Sequence, residues 1–227
     1  YQVATEGVAS CVIADRKDLP THERLFIVDD SLTTLQQLAK LHRERCNIPI
    51  IGITGTNGKT TTKELVATVL SKKYDIIYTQ GNFNDHLGVP LTLLRIKPET
   101  ELAVVEMGAN HAGEIAQLCE IAQPDFGIIT NIGKAHIEGF GSFDGVIKTK
   151  NELYQYLKTK GESQKAIVFV NGNNELLMNL SEGMERVVYK STDNRQLTTD
   201  NSPYLKVVWN NNKINKSSSK NSNNSKN

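Results

Sequence analysis

The stretch from residue 50 to residue 62, IIGITGTNGKTTT, constrains the chain more than any other. An apolar run with strand character leads into a glycine-containing turn, and the residues from Lys59 onward have helical character. A strand–turn–helix of this kind gathers free backbone N–H groups at the positive end of a helix dipole, where an anion is stabilised. Lys59 adds a cation for terminal phosphates, and the Thr60 hydroxyl can hold Mg²⁺. The stretch predicts a loop that binds nucleotide phosphates, formed by Gly55, Thr56, Asn57, Gly58, Lys59, Thr60 and Thr61.

This loop matches the general phosphate-loop pattern G-x-x-x-x-G-K-[ST] with one departure. Ile53 stands where that pattern has its first glycine, and the other glycines nearby are Gly52 and Gly55. A glycine-containing turn that binds nothing therefore remains an alternative on this stretch alone.

Strand-like and helix-like segments alternate from residue 48 onward, which predicts an α/β fold. Short continuous apolar strands separated by helices are typical of a mostly parallel sheet with helices on both faces. Ligands of such sheets bind at the carboxyl ends of the strands. We expect strands over 48–53, 75–78, 102–106, 126–130 and 166–170, and helices over 59–70, 113–122 and 143–157.

The two ends of the chain differ from this alternating part. Residues 1–30 contain two short strands and read as the closing part of a larger domain, because two strands bury no core of their own. Residues 31–46 form a linker helix, with a leucine face and Asp30 or Ser31 as N-cap. Residues 47–209 form the central domain, with further strands possible at 187–189 and 204–209. Residues 210–227, almost entirely Asn, Ser and Lys, are predicted to be a disordered tail.

Composition excludes several classes of function. The net charge of +1, with lysines and arginines spread along the chain, argues against nucleic acid as a partner. No apolar run approaches the roughly 18 residues of a membrane helix, so we expect no membrane insertion. Three cysteines without metal-ligand spacing predict reduced thiols and a cytoplasmic protein.

Polar residues follow three of the predicted strands, at the edge where a ligand is expected. The loop at 81–90 carries Asn82 and Asn84, whose amides can contact a polar substrate. Glu106 ends a buried strand, and an acid beside a phosphate loop holds Mg²⁺ directly or through water. The loop at 130–142 adds Asn131 and His136. Each feature has a plainer alternative. The segment 81–90 is then an ordinary loop, Glu106 caps its strand or the following helix, and His136 is a lone histidine that binds no ligand.

Taken together, these stretches resemble the Mur ligase family over roughly residues 25–190, with its ATP loop in residues 55–61. The runs EMGANHAGEI and NIGKAHIEGFGS are most similar to the member that joins D-alanyl-D-alanine to a UDP-linked muramoyl tripeptide. The resemblance implies ATP and two Mg²⁺ ions as cofactors, an acyl-phosphate intermediate and a monomer. It assigns Thr60 and Glu106 to the first Mg²⁺ and His136 to the second. It also gives Lys59 and His136 a catalytic role. The residues that it predicts to bind substrate are Asn82, Asn84 and Asn131.

The family also uses a carbamylated lysine near its second metal ion. Lys150, in the sequence Lys150-Asn151-Glu152, matches that position better than Lys148 does, so the resemblance makes Lys150 catalytic and metal-binding. Carbamylation turns a cation into an anion, which explains a lysine beside Mg²⁺.

The chain departs from the family pattern at several points. Asp85 replaces a more usual asparagine, and the segment 170–174 carries amides where an acid is usual. Most of the N-terminal domain and all of the C-terminal domain of the family are missing from this sequence. The alternatives are therefore a non-catalytic ATP–Mg²⁺-binding fragment, another Mur or folylpolyglutamate-type ligase, and an unrelated NTPase that acts as a switch.

Overall fold

The computed structural model describes residues 6, 7, 9–133 and 137–190, without the side chains of residues 137 and 138. His136, the expected strand at 204–209 and the tail at 210–227 lie outside the described residues. In chain order the described elements are β1 (Val12–Ala14), β2 (Leu25–Ile27), α1 (Ser31–Cys46), β3 (Ile50–Thr54), α2 (Lys59–Leu70), β4 (Ile76–Tyr78), α3 (Gly88–Leu93), β5 (Leu102–Glu106), α4 (Glu114–Ala122), β6 (Phe126–Ile129), α5 (Ile137–Phe140), α6 (Phe143–Gly161), β7 (Ile167–Asn171), α7 (Glu175–Leu180) and β8 (Arg186–Tyr189).

A parallel sheet of six strands forms the centre of the described part, in the order β4-β5-β3-β6-β7-β8. The expected α/β class is confirmed. Strand β3 is buried at all five positions, because it lies between two strands and beneath helices on both faces. The register pairs Ile53 with Glu106 on one side and with Ile128 on the other. The residues that follow β3, β5 and β6 therefore emerge together at one edge.

Successive residues of β3 point into two separate cores, as the strand period of two requires. Ile50 belongs to a large core under α1, α3, α4 and α6, whereas Ile51 and Ile53 belong to a smaller core. Val66 and Leu70 of α2 pack against the smaller core. Helices thus cover both faces of the sheet, which is the arrangement that the sequence predicted.

The buried faces of two helices differ from the expected ones. The sequence placed Leu65, Val66, Val69 and Leu70 on one side of α2, but Leu65 is 64% exposed and Val69 is 70% exposed. Lys63 and Ala67 are buried in their place. On α1, the expected leucine face is partly open, with Leu38 and Leu41 each 44% exposed, while Ala39 and Arg43 are buried.

Short helices appear where the sequence suggested loops. Helix α3 lies within the Asn-containing segment, and the Asp85 carboxylate accepts hydrogen bonds from the N–H groups of Gly88 (2.8 Å) and Leu87 (3.1 Å) at its start. These hydrogen bonds hold the pKa of Asp85 below its usual value. Asp85 thus has a capping role, and its charge is used there. Helices α5 and α7 were also not expected.

Strands β1 and β2 form a separate parallel pair near the beginning of the chain. Phe26 in this pair is 55% exposed, as expected of two strands without a core of their own. The proposed domain boundaries at residues 30, 46 and 209 stay predictions.

Helix α1 is tied to the central sheet by a buried ionic network around Asp125. Arg43 donates to the carbonyls of Ala122 (3.0 Å) and Gln123 (3.1 Å) and to the Asp125 carboxylate (3.2 Å). Lys160 Nζ lies 2.7 Å from the other Asp125 oxygen, and the Ile50 N–H also donates to Asp125. Arg43 thus joins α1 to the end of α4 and, through Asp125, to β3.

Replacing Arg43 should therefore destabilise the fold more than replacing an exposed arginine of the same helix. We expect Arg43→Met to lower the free energy of unfolding by about 2–4 kcal/mol, because it removes three hydrogen bonds, takes away one of the two cations that pair with Asp125 and leaves the buried Ala122 carbonyl without its donor. Arg45→Met, on the exposed side, is the matched control, with an expected change of less than about 0.5 kcal/mol. Urea denaturation followed by circular dichroism measures both. Equal shifts in the two variants would contradict the anchoring role of Arg43.

Candidate functional site

The phosphate loop begins where β3 ends, and the loop after β6 braces it. The N–H groups of Thr56 and Asn57 donate to the backbone carbonyl and side-chain oxygen of Asn131, each at 3.0 Å. The Thr130 hydroxyl donates to the Asn57 carbonyl at 2.6 Å. Asn131, predicted to contact substrate, therefore lies against the phosphate loop, and its substrate role stays a prediction.

Gly55 lets the chain turn sharply between β3 and the loop. Its φ of +145° lies outside the range that other residues adopt readily, and a Cβ there would overlap the Thr130 hydroxyl. Gly58 also has a positive φ, +75°, but no atom lies within 4 Å of the position of its Cβ. Gly55 is thus required by both conformation and space, whereas Gly58 is required by conformation alone.

Lys59, at the start of α2, folds back over the loop. Its ammonium donates to the carbonyls of Gly55 (2.9 Å) and Thr56 (3.3 Å). Partial burial lowers the pKa of Lys59, and the nearby Glu106 charge works in the opposite direction. A phosphate group would offer this ammonium a stronger partner than two neutral carbonyls do.

Glu106, at the end of β5, is 1% exposed and lies beside the phosphate loop. Its Oε1 accepts hydrogen bonds from Asn84 Nδ2 (2.8 Å) and the Thr60 hydroxyl (3.2 Å). Its Oε2 is buried without a hydrogen bond among the described residues, and Lys63 Nζ lies 3.7 Å away. The structure thus brings together Thr60, Asn84 and Glu106, as the sequence predicted. Asn82 is exposed at the surface of the same loop.

The oxygens beside the loop suit a magnesium ion. Mg²⁺ prefers oxygen ligands. Glu106 offers a carboxylate with one oxygen free of hydrogen bonds among the described residues, and the Thr60 hydroxyl lies 3.2 Å from the other oxygen. Within the described part of the chain there is no cluster of three or more His, Cys, Asp or Glu side chains able to hold a metal ion. The residues therefore fit an ion that has most of its ligands from nucleotide and water.

Lys150, on α6, lines the same cavity as Lys59 does. It is 3% exposed, and its ammonium lies 5.4 Å from the centre of the Phe140 ring. Burial lowers the pKa of Lys150 to about 8; the Lys59 charge contributes to the shift, and Glu152 and Glu114 oppose it. Glu152 accepts hydrogen bonds from the N–H groups of Gly113 (2.7 Å) and Ala116 (2.9 Å), so it fixes the start of α4 against α6.

A cavity of about 450 Å³ is lined by Lys59 and Lys150, together with Gly55, Thr56 and Asn84. It extends from the phosphate loop past Lys59 and Lys150 to a partly apolar end formed by α4 and α6. Sequence reasoning did not single out several of its lining residues, although His111, Glu114 and Phe140 lie in the two runs that carry the family resemblance. These residues are Gln36, His111, Glu114, Gln117, Leu118 and Phe140.

A phosphate loop at the carboxyl edge of a parallel sheet, with a buried carboxylate beside its Lys-Thr pair, defines a nucleotide-binding protein of the P-loop type. Residues 53–225 match the family model described as the Mur ligase middle domain. The chain belongs to the Mur ligase family.

Curated relatives and solved structures agree with this family. The chain is 42% identical over 178 residues to the UDP-N-acetylmuramoyl-tripeptide–D-alanyl-D-alanine ligase of Bacillus subtilis, and 38% identical over 179 residues to that of Escherichia coli. Each match covers 78% of this chain and 38% of the relative, so the chain spans well under half the length of these relatives.

Among solved structures, the MurF ligase of Thermotoga maritima in complex with ADP matches with a TM-score of 0.71 and 32% identity. That match covers 83% of this chain and 44% of the other. MurF of Acinetobacter baumannii matches with a TM-score of 0.68 and 33% identity, over 78% and 38% of the two chains. Within the described part, no helix is long and apolar enough to cross a membrane.

Replacing Gly55 and Gly58 in turn by alanine should distinguish the effect of steric overlap from that of backbone strain. We expect Gly58→Ala to lower the free energy of unfolding by about 1–2 kcal/mol, the penalty of a positive φ. Gly55→Ala should cost more, because the added methyl group also displaces the Thr130 hydroxyl that braces the loop. Urea denaturation measures the stability of each variant, and titration with ADP and Mg²⁺ measures how tightly its phosphate loop binds the nucleotide. If Gly55→Ala binds ADP as tightly as Gly58→Ala, the bracing of the loop by Thr130 is unimportant.

Proposed function

We propose that the chain supplies the ATP-binding part of a ligase that joins D-alanyl-D-alanine to UDP-N-acetylmuramoyl-tripeptide. The observation that carries this proposal is the buried Glu106 carboxylate, held beside Thr60 and the phosphate loop with one oxygen free of hydrogen bonds. The named activity of the relatives supports the choice of substrates. We further propose that the protein acts in the cytoplasm as a monomer.

The reaction requires two anions to approach each other. ATP phosphorylates the terminal carboxylate of the tripeptide; the amine of D-alanyl-D-alanine then attacks the acyl phosphate, and phosphate leaves. The free N–H groups at the start of α2 bind the phosphates, and Lys59 leaves its two carbonyl partners to offset their charge. The partly apolar cavity limits access of water to the acyl phosphate.

Three residues that the structure describes, and one that lies outside the described residues, are candidates to hold magnesium. Glu106 and Thr60 would hold the first ion; His136, outside the described residues, and a modified Lys150 are proposed for the second. When bound, Mg²⁺ would neutralise phosphate oxygens and polarise the transferred phosphoryl group. Asn84 keeps the Glu106 carboxylate oriented through its 2.8 Å hydrogen bond, and Asn82, Asn84 and Asn131 remain proposed substrate contacts.

A second candidate function is a fragment that binds ATP–Mg²⁺ without ligating. The chain covers only 38% of the length of the two relatives described above, and this observation favours that candidate. Both candidates require the phosphate loop and Glu106, so nucleotide binding tests their common part and turnover separates them.

Nucleotide binding and phosphate release should be measured on the same preparation of the chain. We expect ADP to bind in the presence of Mg²⁺, and Glu106→Gln to weaken that binding about tenfold or more, because a charged oxygen ligand is lost. Glu99→Gln, on the exposed surface, is the control. Phosphate release that requires both tripeptide precursor and D-alanyl-D-alanine supports the ligase. ADP binding without such release supports the fragment, and absence of Mg²⁺-dependent binding contradicts both.

Lys150 is proposed to carry a carbamate. Carbon dioxide reacts with a neutral amine, and a pKa of about 8 leaves about a tenth of Lys150 neutral at pH 7, against well under a thousandth for an ordinary lysine. In addition to the carbamate signal of the α-amino group, whose ordinary pKa is also about 8, incubation with ¹³C-bicarbonate should give a carbamate signal for Lys150 in the ¹³C NMR spectrum. That signal should disappear in Lys150→Ala and persist in Lys148→Ala, the exposed neighbour. Where the chain is active, short carboxylic acids should restore activity to Lys150→Ala. If Lys150→Ala loses no carbamate signal that the unsubstituted chain shows, the assignment is refuted.

A further inference from the structure

Lys63 is a buried cation to which the reaction described above gives no task. It lies on α2, one turn after Thr60, and its side chain has no exposed surface. Its neighbours on the buried face of α2 are apolar: Val66, Ala67 and Leu70. A buried ammonium is costly unless it is paired, and an apolar residue of similar length would avoid that cost. The charge at this position therefore requires an explanation.

The ammonium of Lys63 lies where three segments meet. It is 3.1 Å from a carboxylate oxygen of Glu64, 3.4 Å from the carbonyl of Gly81 and 3.7 Å from Glu106 Oε2. The Tyr78 ring centre is 6.0 Å away. Glu64 is half-exposed, so water weakens that pair, whereas Glu106 is buried. The strongest electrostatic partner of Lys63 is therefore Glu106.

Glu106 and Lys63 are paired by charge without a hydrogen bond. A separation of 3.7 Å is longer than a hydrogen bond, and Oε2 of Glu106 has none among the described residues. The other oxygen is held by Asn84 and Thr60. The carboxylate is thus fixed in orientation and balanced in charge, while one oxygen keeps its lone pairs unused.

This balance disfavours a free divalent cation. A metal ion that arrives alone meets a single buried carboxylate whose charge Lys63 already offsets, with Lys59 close by. The described residues provide no cluster of acidic side chains to compensate. A nucleotide brings several negative charges to the phosphate loop. These charges outweigh those of Lys59 and Lys63, so the site then attracts a divalent cation.

We propose that Lys63 is a positioning residue that holds Glu106 by charge in the nucleotide-free protein and keeps divalent cations from binding until a nucleotide brings one. The inference rests on the proposed function in that Glu106 serves a nucleotide-bound metal. Lys63 itself touches neither ligand. Its task is to make metal binding conditional on nucleotide while the Glu106 carboxylate stays ordered.

Mn²⁺ binding to the nucleotide-free chain, followed by the electron paramagnetic resonance signal of the free ion, tests this. The wild-type chain should bind Mn²⁺ weakly. Lys63→Met leaves Glu106 unbalanced and should bind Mn²⁺ about tenfold more tightly or better. Lys63→Arg keeps the charge and should resemble wild type, as should Lys72→Met, which removes an exposed lysine of the same segment. Unchanged or weaker Mn²⁺ binding by Lys63→Met overturns the proposal.

Two further measurements keep the outcome unambiguous. If Lys63→Met does not fold, Lys63→Gln provides the same neutral charge with an amide that can still donate to the Gly81 carbonyl, and the same increase is expected. If Lys63 were only a structural link to Gly81, Lys63→Gln would bind Mn²⁺ as weakly as wild type. Adding ADP should tighten Mn²⁺ binding to the wild-type chain. Failure of that step contradicts the proposed function, whereas the role of Lys63 is judged from the nucleotide-free comparison.

Discussion

The rest of the site depends on one constraint, the burial of the Glu106 carboxylate at the end of β5. An anion with 1% exposure is stable only if other segments provide its partners. Those partners come from two segments: Thr60 and Lys63 from α2, and Asn84 from the segment before α3. Satisfying one carboxylate therefore fixes the start of α2 and the end of β5 relative to each other, and the phosphate loop lies between them.

The parallel sheet makes this convergence possible. Strand β3 pairs with β5 on one side and β6 on the other, so the chain that leaves β3 has Glu106 and Asn131 as neighbours. Asn131 and Thr130 then use their hydrogen-bonding groups on the backbone of the phosphate loop. The loop is held in shape by its neighbours before any nucleotide arrives, which reduces the ordering cost of binding. The phosphate loop is therefore preorganised by the order of the strands in the sheet.

The sequence predicted the strands, the main helices and the edge at which polar residues gather, because these depend on local apolar runs and on strand–helix alternation. It did not predict which side of α2 is buried. Leu65 and Val69 are more apolar than Lys63, yet Lys63 is inside, because Glu106 from a distant segment pairs with it. Helix α3 was missed for a similar reason. Its cap, Asp85, lies in a run of asparagine and glycine typical of a loop, and Pro90 suits the first turn of a helix as well as a break.

The separation of charges within the site also explains why two lysines with similar sequence surroundings differ in their proposed chemistry. The Lys63 ammonium lies 3.7 Å from the Glu106 carboxylate, which offsets its charge. Lys150 is buried without so close an acid, since Glu152 is used by the N–H groups of α4, and the charge of Lys59 opposes its own. Losing the proton relieves that cost, and a neutral amine is the form that carbon dioxide modifies. The proposed carbamate would thus arise at a lysine whose charge is disfavoured by burial, and would convert it into a metal ligand.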